Sequence, residues 1–344
     1  MIRRALLLCG ALVCLTVGPA AARTYKIAAV SWAGWSPCHV AEAKGFWSEA
    51  GVDVSVITVP DPKSAADLFK QRLVHIAFTM IGSAVGHRMD GLPVRIIAET
   101  NWSHGGDKLI ARPGFDVARI EDRLVGVFSN SPAVTFLLHR YLSGIGRAVD
   151  DARIIEMAPE DLAGRFVDGQ LDLIVCYDPA AIRAVREGNG RVVATSAAYP
   201  GILPEGMMVL DEVLADIPEA DLAAIFRGWI RAVRWSRDPA HWDEYGEILN
   251  TRTFPESPSY TDADLRAMLE AVRIHDQGDL LMRNRPGGGL SVYLKRLKAF
   301  LVDTGRLRSD FRPDDLLRTA TLLSILADDD GGKTSGAAPA GSIP

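Results

Sequence analysis

The feature that most constrains the fold is an alternation of short apolar runs with amphipathic segments, and this alternation occurs twice. Shifted by 97 positions, residues 69–78 lie over residues 166–175, helix end on helix end and apolar strand on apolar strand. A strand followed by a proline-initiated helix also matches, at residues 27–37 and 125–132. Either the chain contains a repeat, or two ordinary βαβ units resemble each other. Both interpretations predict two α/β lobes with largely parallel sheets.

The pattern changes after Tyr199, where helical periodicity dominates. The spacing of apolar residues predicts helices over 221–237, 263–274, 292–301 and 314–326. The tail from Asp328 is rich in Gly, Ala, Ser and Pro. We expect residues 328–344 to be disordered, because such a composition cannot bury enough apolar surface to fold.

The N-terminus has the order of a secretory signal peptide. Arg3 and Arg4 precede an apolar run over residues 5–17, and alanines at 20–22 follow a Gly-Pro break. The run is too short to span a membrane. We therefore expect residues 1–22 to be cleaved and the mature protein to be periplasmic. No lipid anchor is expected, because Cys9 and Cys14 lack the preceding small residue of lipoprotein signals.

Charge and motif content exclude several classes of function. The formal net charge is -5, and an acidic surface offers no basic face for nucleic acid. The sequence contains no His-Glu-x-x-His pair, no zinc-type cysteine spacing, no Gly-x-Ser-x-Gly elbow and no phosphate loop. Cys38 adjoins His39, but neighbouring helical residues point about 100 degrees apart. We predict no catalytic residue, no metal site and no cofactor, and no disulfide between Cys38 and Cys176.

An ordered set of motifs runs along residues 24–250. It comprises KIAAVSWAGWSPCHVAEAKGFWSEAGVDV from Lys26, IAF from Ile76, GLPV from Gly91, SHGGDKLIA from Ser103, GQLDL from Gly169 and YDP from Tyr177. This set resembles the nitrate, sulfonate and taurine type of substrate-binding proteins of ABC importers, a family that also includes binders of thiamin precursors. The chain departs from the family at Arg72, where Gly is usual, at His75, where Asp is frequent, and at Tyr-Asp-Pro, where Trp-Glu-Pro is usual.

The resemblance implies an α/β, two-lobe periplasmic binding protein fold of type II, in which each lobe is a mainly parallel sheet flanked by helices. The C-terminal part is helical. In this fold the chain crosses between the lobes twice. The Gly-Gly pair at 105–106 suits the first crossing, and the Gly- and Pro-containing stretch 196–204 suits the return. The expected division is 1–22 signal peptide, 23–107 lobe 1, 108–204 lobe 2, 205–327 return to lobe 1 and C-terminal helices, and 328–344 tail.

Loops at the carboxyl ends of strands line the cleft of such a fold. In lobe 1, we predict that Trp32 and Trp35 stack on a ligand, although packing against the core is the alternative. Ser36 is predicted to cap a helix whose N-terminus faces the cleft. Gly82 and Ser83 open a second helix in the same way.

Lobe 2 and the first crossing supply the other candidate residues. Asn130 and Ser131 precede a helix whose N-terminus would oppose those of lobe 1 and clamp an anionic group; simple helix capping is the alternative. Tyr177 and Asp178 follow an apolar strand, and Asp178 either only caps the next helix or also accepts a hydrogen bond from a ligand amine. Ser103 and Asp107 flank the first crossing, and Asp107 carries the same ambiguity.

These observations predict a monomeric, exported solute receptor that performs no chemistry. It would capture a small polar or zwitterionic molecule, such as a sulfonate, a taurine-like or a thiamin-pyrimidine-like compound, and deliver it to the permease of an ABC importer. One alternative is an enzyme on the same scaffold, similar to thiamin-pyrimidine synthases, although their cysteine-rich motif is absent from this sequence. The other is a ligand-sensing partner of a membrane receptor.

Overall fold

Two sheets and a set of surrounding helices make up the chain in the computed structural model, which describes residues 23–255 and 259–334. The predicted signal peptide, residues 1–22, lies outside the described residues. The strands are β1 Thr24–Val30, β2 Asp53–Val59, β3 Ile76–Met80, β4 Val94–Ser103, β5 Asp107–Ala111, β6 Leu124–Val127, β7 Arg153–Glu156, β8 Leu173–Tyr177, β9 Arg191–Thr195, β10 Pro204–Leu210 and β11 Val272–Ile274.

The helices lie on the faces of these sheets and between them. They are α1 Ser36–Ala43, α2 Phe46–Glu49, α3 Pro62–Lys70, α4 Ile81–Met89, α5 Pro132–Gly144, α6 Pro159–Val167, α7 Ala180–Arg186, α8 Asp211–Asp216, α9 Glu219–Ser236, α10 Trp242–Ile248, α11 Asp262–Glu270, α12 Gln277–Asn284, α13 Gly289–Asp303 and α14 Ala320–Thr334.

Each sheet belongs to one lobe. Lobe 1 is built on a six-stranded sheet with the order β11-β4-β10-β3-β1-β2, and lobe 2 on a five-stranded sheet with the order β7-β6-β8-β5-β9. The α/β two-lobe fold expected from the sequence is confirmed. Both sheets contain a parallel core of three strands, to which antiparallel strands are added.

The internal similarity corresponds to a shared topology. In lobe 1, β1 lies between β2 and β3 and is parallel to both; in lobe 2, β6 lies between β7 and β8 and is parallel to both. The next strand is antiparallel in each case, β10 against β3 and β5 against β8. The apolar runs at 76–80 and 173–177 are therefore equivalent strands in the two lobes.

Two connections join the lobes. The first leaves β4 at Ser103 and enters β5 at Asp107, and the second leads from β9 to β10. Gly105 has a φ of +117°, which residues with a side chain rarely adopt. A Cβ atom at Gly106 would lie 2.2 Å from the ring of Trp32, so only glycine fits there. The lobe boundaries given above remain predictions.

Some elements differ from those expected. The predicted helix over 263–274 ends at Glu270, and β11 follows it, because Val272 and its neighbours pair with β4. Strands β9 and β10 were not predicted; β10 is buried along its whole length, so it lacks the polar alternation of a surface strand. Within the described residues, the last helix spans Ala320–Thr334. Residues 328–334 of the predicted disordered tail are thus part of this helix, and the rest of the tail lies outside the described residues.

The lobes touch through side chains as well as through the two connections. A Cβ atom at Gly82 in α4 would lie 2.7 Å from the backbone nitrogen of Ala133 in α5, which shows how closely these helices approach. Arg306, after α13, forms an ion pair with Asp150 of lobe 2. On another side, Arg186 of α7 pairs with Asp264 of α11 at 2.9 Å.

Candidate functional site

A cavity of about 260 Å³ lies between the lobes, where the loops after β1, β3 and β6 meet. Four residues predicted for the ligand site line it: Trp35, Ser83, Asn130 and Ser131. These four residues share one cavity because parallel strands present their carboxyl ends at one edge of a sheet. The walls also include α3 and Met208 of β10, which the sequence did not indicate.

Three polar atoms in this cavity's lining are buried and have no hydrogen-bond partner among the described residues. They are Nε1 of Trp35, Oγ of Ser83 and Oγ of Ser131. A buried donor without a partner costs about 1–3 kcal/mol, so such groups usually serve a bound molecule or water. All three can donate a hydrogen bond, which makes the cavity suitable for an acceptor such as an oxyanion.

Two helix N-termini reinforce this preference. Helix α4 begins at Ile81, and α5 begins at Pro132 with Ser131 in the N-cap position. Ser131 does not make the side-chain cap bond that its position predicts, so its hydroxyl stays available. The free N–H groups and the positive dipole end of a helix N-terminus attract anions.

Charged side chains form the other part of the lining. Lys63 pairs with Asp67 at 2.9 Å, and Arg308 pairs with Asp90 at 2.7 Å. Glu156 accepts a hydrogen bond from the backbone N–H of Asn130 at 2.9 Å. Burial lowers the pKa of His87, also in the lining, to about 4, so this ring is neutral at pH 7.

Trp35 and Ser36 have different surroundings. The Trp35 ring is buried and stacks on Phe78 with centroids 5.7 Å apart, and Trp35 is also part of the cavity lining. Ser36 is fully buried and does not cap α1; the N-cap residue is Trp35. Its hydroxyl donates to the carbonyl of Ala33 at 2.7 Å and lies 2.6 Å from the hydroxyl of Tyr245. The predicted Ser36 cap is therefore wrong, because Tyr245, distant in sequence, holds the side chain.

Trp32 lies at the junction of the lobes and is outside the cavity lining. Its Nε1 donates to Glu205 at 2.6 Å, and its ring meets the ring edge of Tyr177 of lobe 2 at 5.7 Å. Glu205 also accepts a hydrogen bond from the amide of Asn101. Sequence reasoning missed Glu205, although an acidic residue inside the apolar run 202–210 is a signal of a buried polar interaction.

Ser103 and Asp107 hold the first crossing together. The Ser103 hydroxyl accepts from the backbone N–H of Asp107 at 3.1 Å and lies 2.7 Å from that of Ser196 in the return connection. Burial raises the pKa of Asp107 to about 6, against the opposing effects of Ser103 and Lys108. Burial, with the nearby Asp107 charge, also raises the pKa of Glu205 well above its usual range.

Tyr177 and Asp178 lie beside Trp32 and Asp107 at the junction of the lobes. Both residues are buried, and Tyr177 packs edge-to-face on Phe128 with centroids 4.7 Å apart. Asp178 does not cap α7, whose N-cap residue is Pro179. Its Oδ2 instead forms an ion pair with Lys108 on β5, and its Oδ1 is buried without a partner. The cap predicted for Asp178 is wrong, because the adjacent strand supplies a cation.

The predicted residues thus form two neighbouring groups. Ser83, Asn130, Ser131 and Trp35 share the cavity, whereas its lining does not include Trp32, Ser36, Gly82, Ser103, Asp107, Tyr177 or Asp178. A role of any of them in ligand binding stays a prediction. Over the described ranges, no group of three or more His, Cys, Asp or Glu side chains could hold a metal ion. No helix in these ranges is both long and apolar enough to cross a membrane.

Asp107→Asn should stabilise the protein at neutral pH. An unfolded aspartate has a pKa of about 3.9, so the native state binds the proton more tightly. The protonated Asp107 therefore stabilises the fold by about 3 kcal/mol. This stabilisation is fully present below a pH of about 4 and is lost as the pH rises through 6. The Asn variant cannot ionise and should exceed the parent by up to that amount at pH 7, and equal it near pH 4.

Urea unfolding at several pH values between 4 and 7 measures this difference. Asp168→Asn is the matched control, since Asp168 is exposed at the end of α6. If the free energy of unfolding varies with pH in the same way for the parent and for Asp107→Asn, the pKa of Asp107 is not raised.

Comparison with known families and structures gives a consistent result. Residues 32–202 match the family described as NMT1/THI5 like. The fold is similar to that of the periplasmic nitrate-binding protein NrtA from Synechocystis PCC 6803, with a TM-score of 0.71, 14% identity and coverage of 90% of this chain and 89% of that one. It is also similar to the alkanesulfonate-binding protein SsuA from Xanthomonas axonopodis pv. citri bound to MOPS, with a TM-score of 0.70, 10% identity and coverage of 86% and 98%.

One curated relative is longer than this chain. The bicarbonate transport ATP-binding protein CmpC from Synechococcus elongatus is 20% identical over 243 residues, which are 65% of this chain and 37% of that protein. The chain thus spans little more than a third of the length of the curated relatives it matches. The two solved neighbours described above are binding proteins, and at these identities they establish the fold alone.

Proposed function

Because residues 32–202 of this chain belong to the NMT1/THI5-like family, we propose that the protein is an exported receptor that captures a small anionic or zwitterionic molecule between its lobes and delivers it to an ABC importer. The observation that carries the proposal is the set of unpartnered donors on Trp35, Ser83 and Ser131 in the cavity between the lobes. Binding there requires no nucleophile, general base or metal.

The anionic end of the ligand accepts hydrogen bonds from Trp35, Ser83 and Ser131. Ser83 comes from α4 of lobe 1 and Ser131 precedes α5 of lobe 2, so an oxyanion between them contacts both lobes. A sulfonate or carboxylate presents several acceptor oxygens, which can satisfy the three donors and face the two helix N-termini. Ligand binding then removes the cost of the unpartnered groups only when the lobes are together, which favours closure.

The other end of the ligand faces the charged part of the lining. Asp107 and Asp178, predicted to accept a ligand amine, lie outside the cavity lining, and Asp178 is paired with Lys108. Glu156, in contrast, is part of the lining, where it accepts a hydrogen bond from the backbone N–H of Asn130. We therefore expect an amine or other donor of the ligand to meet Glu156. A cavity of about 260 Å³ suits a molecule smaller than a typical drug.

A thermal-shift panel tests the ligand class. Taurine, ethanesulfonate, an aminopyrimidine and nitrate are compared, and taurine is expected to stabilise most. At a hundredfold excess over its dissociation constant the true ligand should add about 2.7 kcal/mol to the free energy of unfolding. Ethanesulfonate should bind more weakly, because it lacks the amine that Glu156 would accept.

The double variant Ser83→Ala, Ser131→Ala should lose most of this shift while its melting temperature without ligand is unchanged or higher, because two unpartnered polar groups are removed. Ser143→Ala is the control, since Ser143 is exposed in the last turn of α5. Stabilisation by nitrate alone, or an undiminished taurine shift in the double variant, would contradict the proposed ligand class.

A further inference from the structure

A second and larger concavity, of about 750 Å³, lies at the junction of the lobes. Its walls come from the middle of α5 in lobe 2, from residues 198–202 of the return connection, and from α13 of the C-terminal part. It shares no lining residue with the cavity described above. We call it the return groove, and nothing in the proposed function uses it.

The charges of the return groove are predominantly positive. Arg140 of α5 and Arg296 of α13 are exposed in its lining, and neither guanidinium group forms an ion pair with any side chain that the structure describes. Arg283 is also present, but Glu99 neutralises it at 2.7 Å. Asp303 is the acidic residue of the lining, so one carboxylate faces two unpaired guanidinium groups.

Aromatic surface accompanies these charges. Phe136 of α5 stacks on Phe300 of α13 with centroids 5.0 Å apart and an interplanar angle of 30°; both residues are mostly buried, 7% and 5% exposed, and reach the groove only through the part that lines it. Val292 is 42% exposed in the same lining, and Tyr199 contributes another ring. Guanidinium groups beside apolar ring surface recognise anions that carry a flat apolar body.

We propose that the return groove is a second ligand site, which binds an organic anion with a flat apolar body. The acid group of this ligand pairs with Arg140 and Arg296, and its body lies against Phe136, Phe300 and Val292. Because Arg140 belongs to lobe 2 and Arg296 to the C-terminal part, one molecule contacts both sides of the junction.

This position couples the groove to the cleft. Ser131 precedes α5 in the cleft, and Arg140 lies nine residues further along the same helix, about 13 Å away. A ligand that contacts α5 and α13 together favours the lobe arrangement in which these helices are adjacent. Its binding therefore biases closure over the cleft ligand.

Titration calorimetry with 2-naphthoate tests the site, and 2-naphthamide serves as the neutral analogue. The parent should bind 2-naphthoate and not 2-naphthamide. Arg140→Gln and Arg296→Gln should each weaken binding by about tenfold or more, the cost of losing a hydrogen bond to a charged group. Ala299→Trp, which fills the groove without changing its charge, should abolish binding. Arg227→Gln, an exposed arginine of α9, should bind as the parent does.

The double variant Ser83→Ala, Ser131→Ala separates the two sites. It should bind 2-naphthoate with unchanged affinity, because its substitutions are in the cleft. Loss of binding in this variant, equal binding of the acid and the amide, undiminished binding in Ala299→Trp, or no heat with the parent at millimolar 2-naphthoate would each overturn the proposal. None of these outcomes depends on which molecule the cleft binds.

Discussion

Replacing Gly82 with leucine should hold the two lobes apart and prevent their closure over a ligand. A Cβ atom at this position of α4 would lie 2.7 Å from both the backbone nitrogen of Ala133 and the hydroxyl of Tyr293. Ala133 is in α5, so its backbone can yield only if lobe 2 moves. Overpacking of this kind costs about 1–3 kcal/mol, and here the closed arrangement alone bears it. Ligand affinity should therefore fall by about 5- to 150-fold.

Small-angle scattering with and without the ligand found in the thermal-shift panel measures the closure. The parent should have a smaller radius of gyration with ligand, and Gly82→Leu should keep the larger one. Gly144→Leu is the matched control, because nothing lies within 4 Å of a Cβ atom at that end of α5. If Gly82→Leu compacts and binds like the parent, the contact between α4 and α5 is not a feature of the closed state.

Truncation of the buried strand β8 should have the largest effect on stability. Leu173 and Tyr177 lie at its two ends, and both are buried. Leu173→Ala should cost about 2–5 kcal/mol of unfolding free energy, because it leaves a cavity in the core of lobe 2. Tyr177→Ala should cost a similar amount, because Trp32 and Phe128 both pack on its ring.

Denaturant unfolding of the variants measures these losses. Tyr177→Phe is the control for the second one, since it keeps the ring and its two aromatic contacts. It should lose little stability. If the Tyr177→Ala protein is as stable as the parent, the ring is not part of the core. That result would favour the prediction that Tyr177 contacts the ligand.

The architecture could be predicted because its signals are local in the sequence. Each parallel strand of the two lobes is a short apolar run, and a helix with a proline in its first turn follows β1 and β6. The ends of these strands give the loops of the cleft. Trp35, Ser83, Asn130 and Ser131 could therefore be expected near one another without knowledge of any contact between them, and all four line one cavity.

The features that escaped prediction depend on partners distant along the chain. Ser36 is turned away from the helix N-terminus by Tyr245, and Asp178 is drawn to Lys108. Glu205 is held by Trp32 and Asn101. Helix capping statistics describe a residue and its neighbours only, so they cannot anticipate such competition.

The position of β10 has a consequence for the order in which the lobes can assemble. All strands of lobe 2 lie between residues 107 and 195, whereas β10, residues 204–210, fills the place between β3 and β4 at the middle of the lobe 1 sheet. As the chain is made, lobe 1 therefore begins first but is completed last. Until β10 arrives, β3 and β4 each present an unpaired edge, which invites pairing with other chains. Lobe 2 begins later along the chain than lobe 1, but it is the first lobe whose strands are all available to complete a sheet.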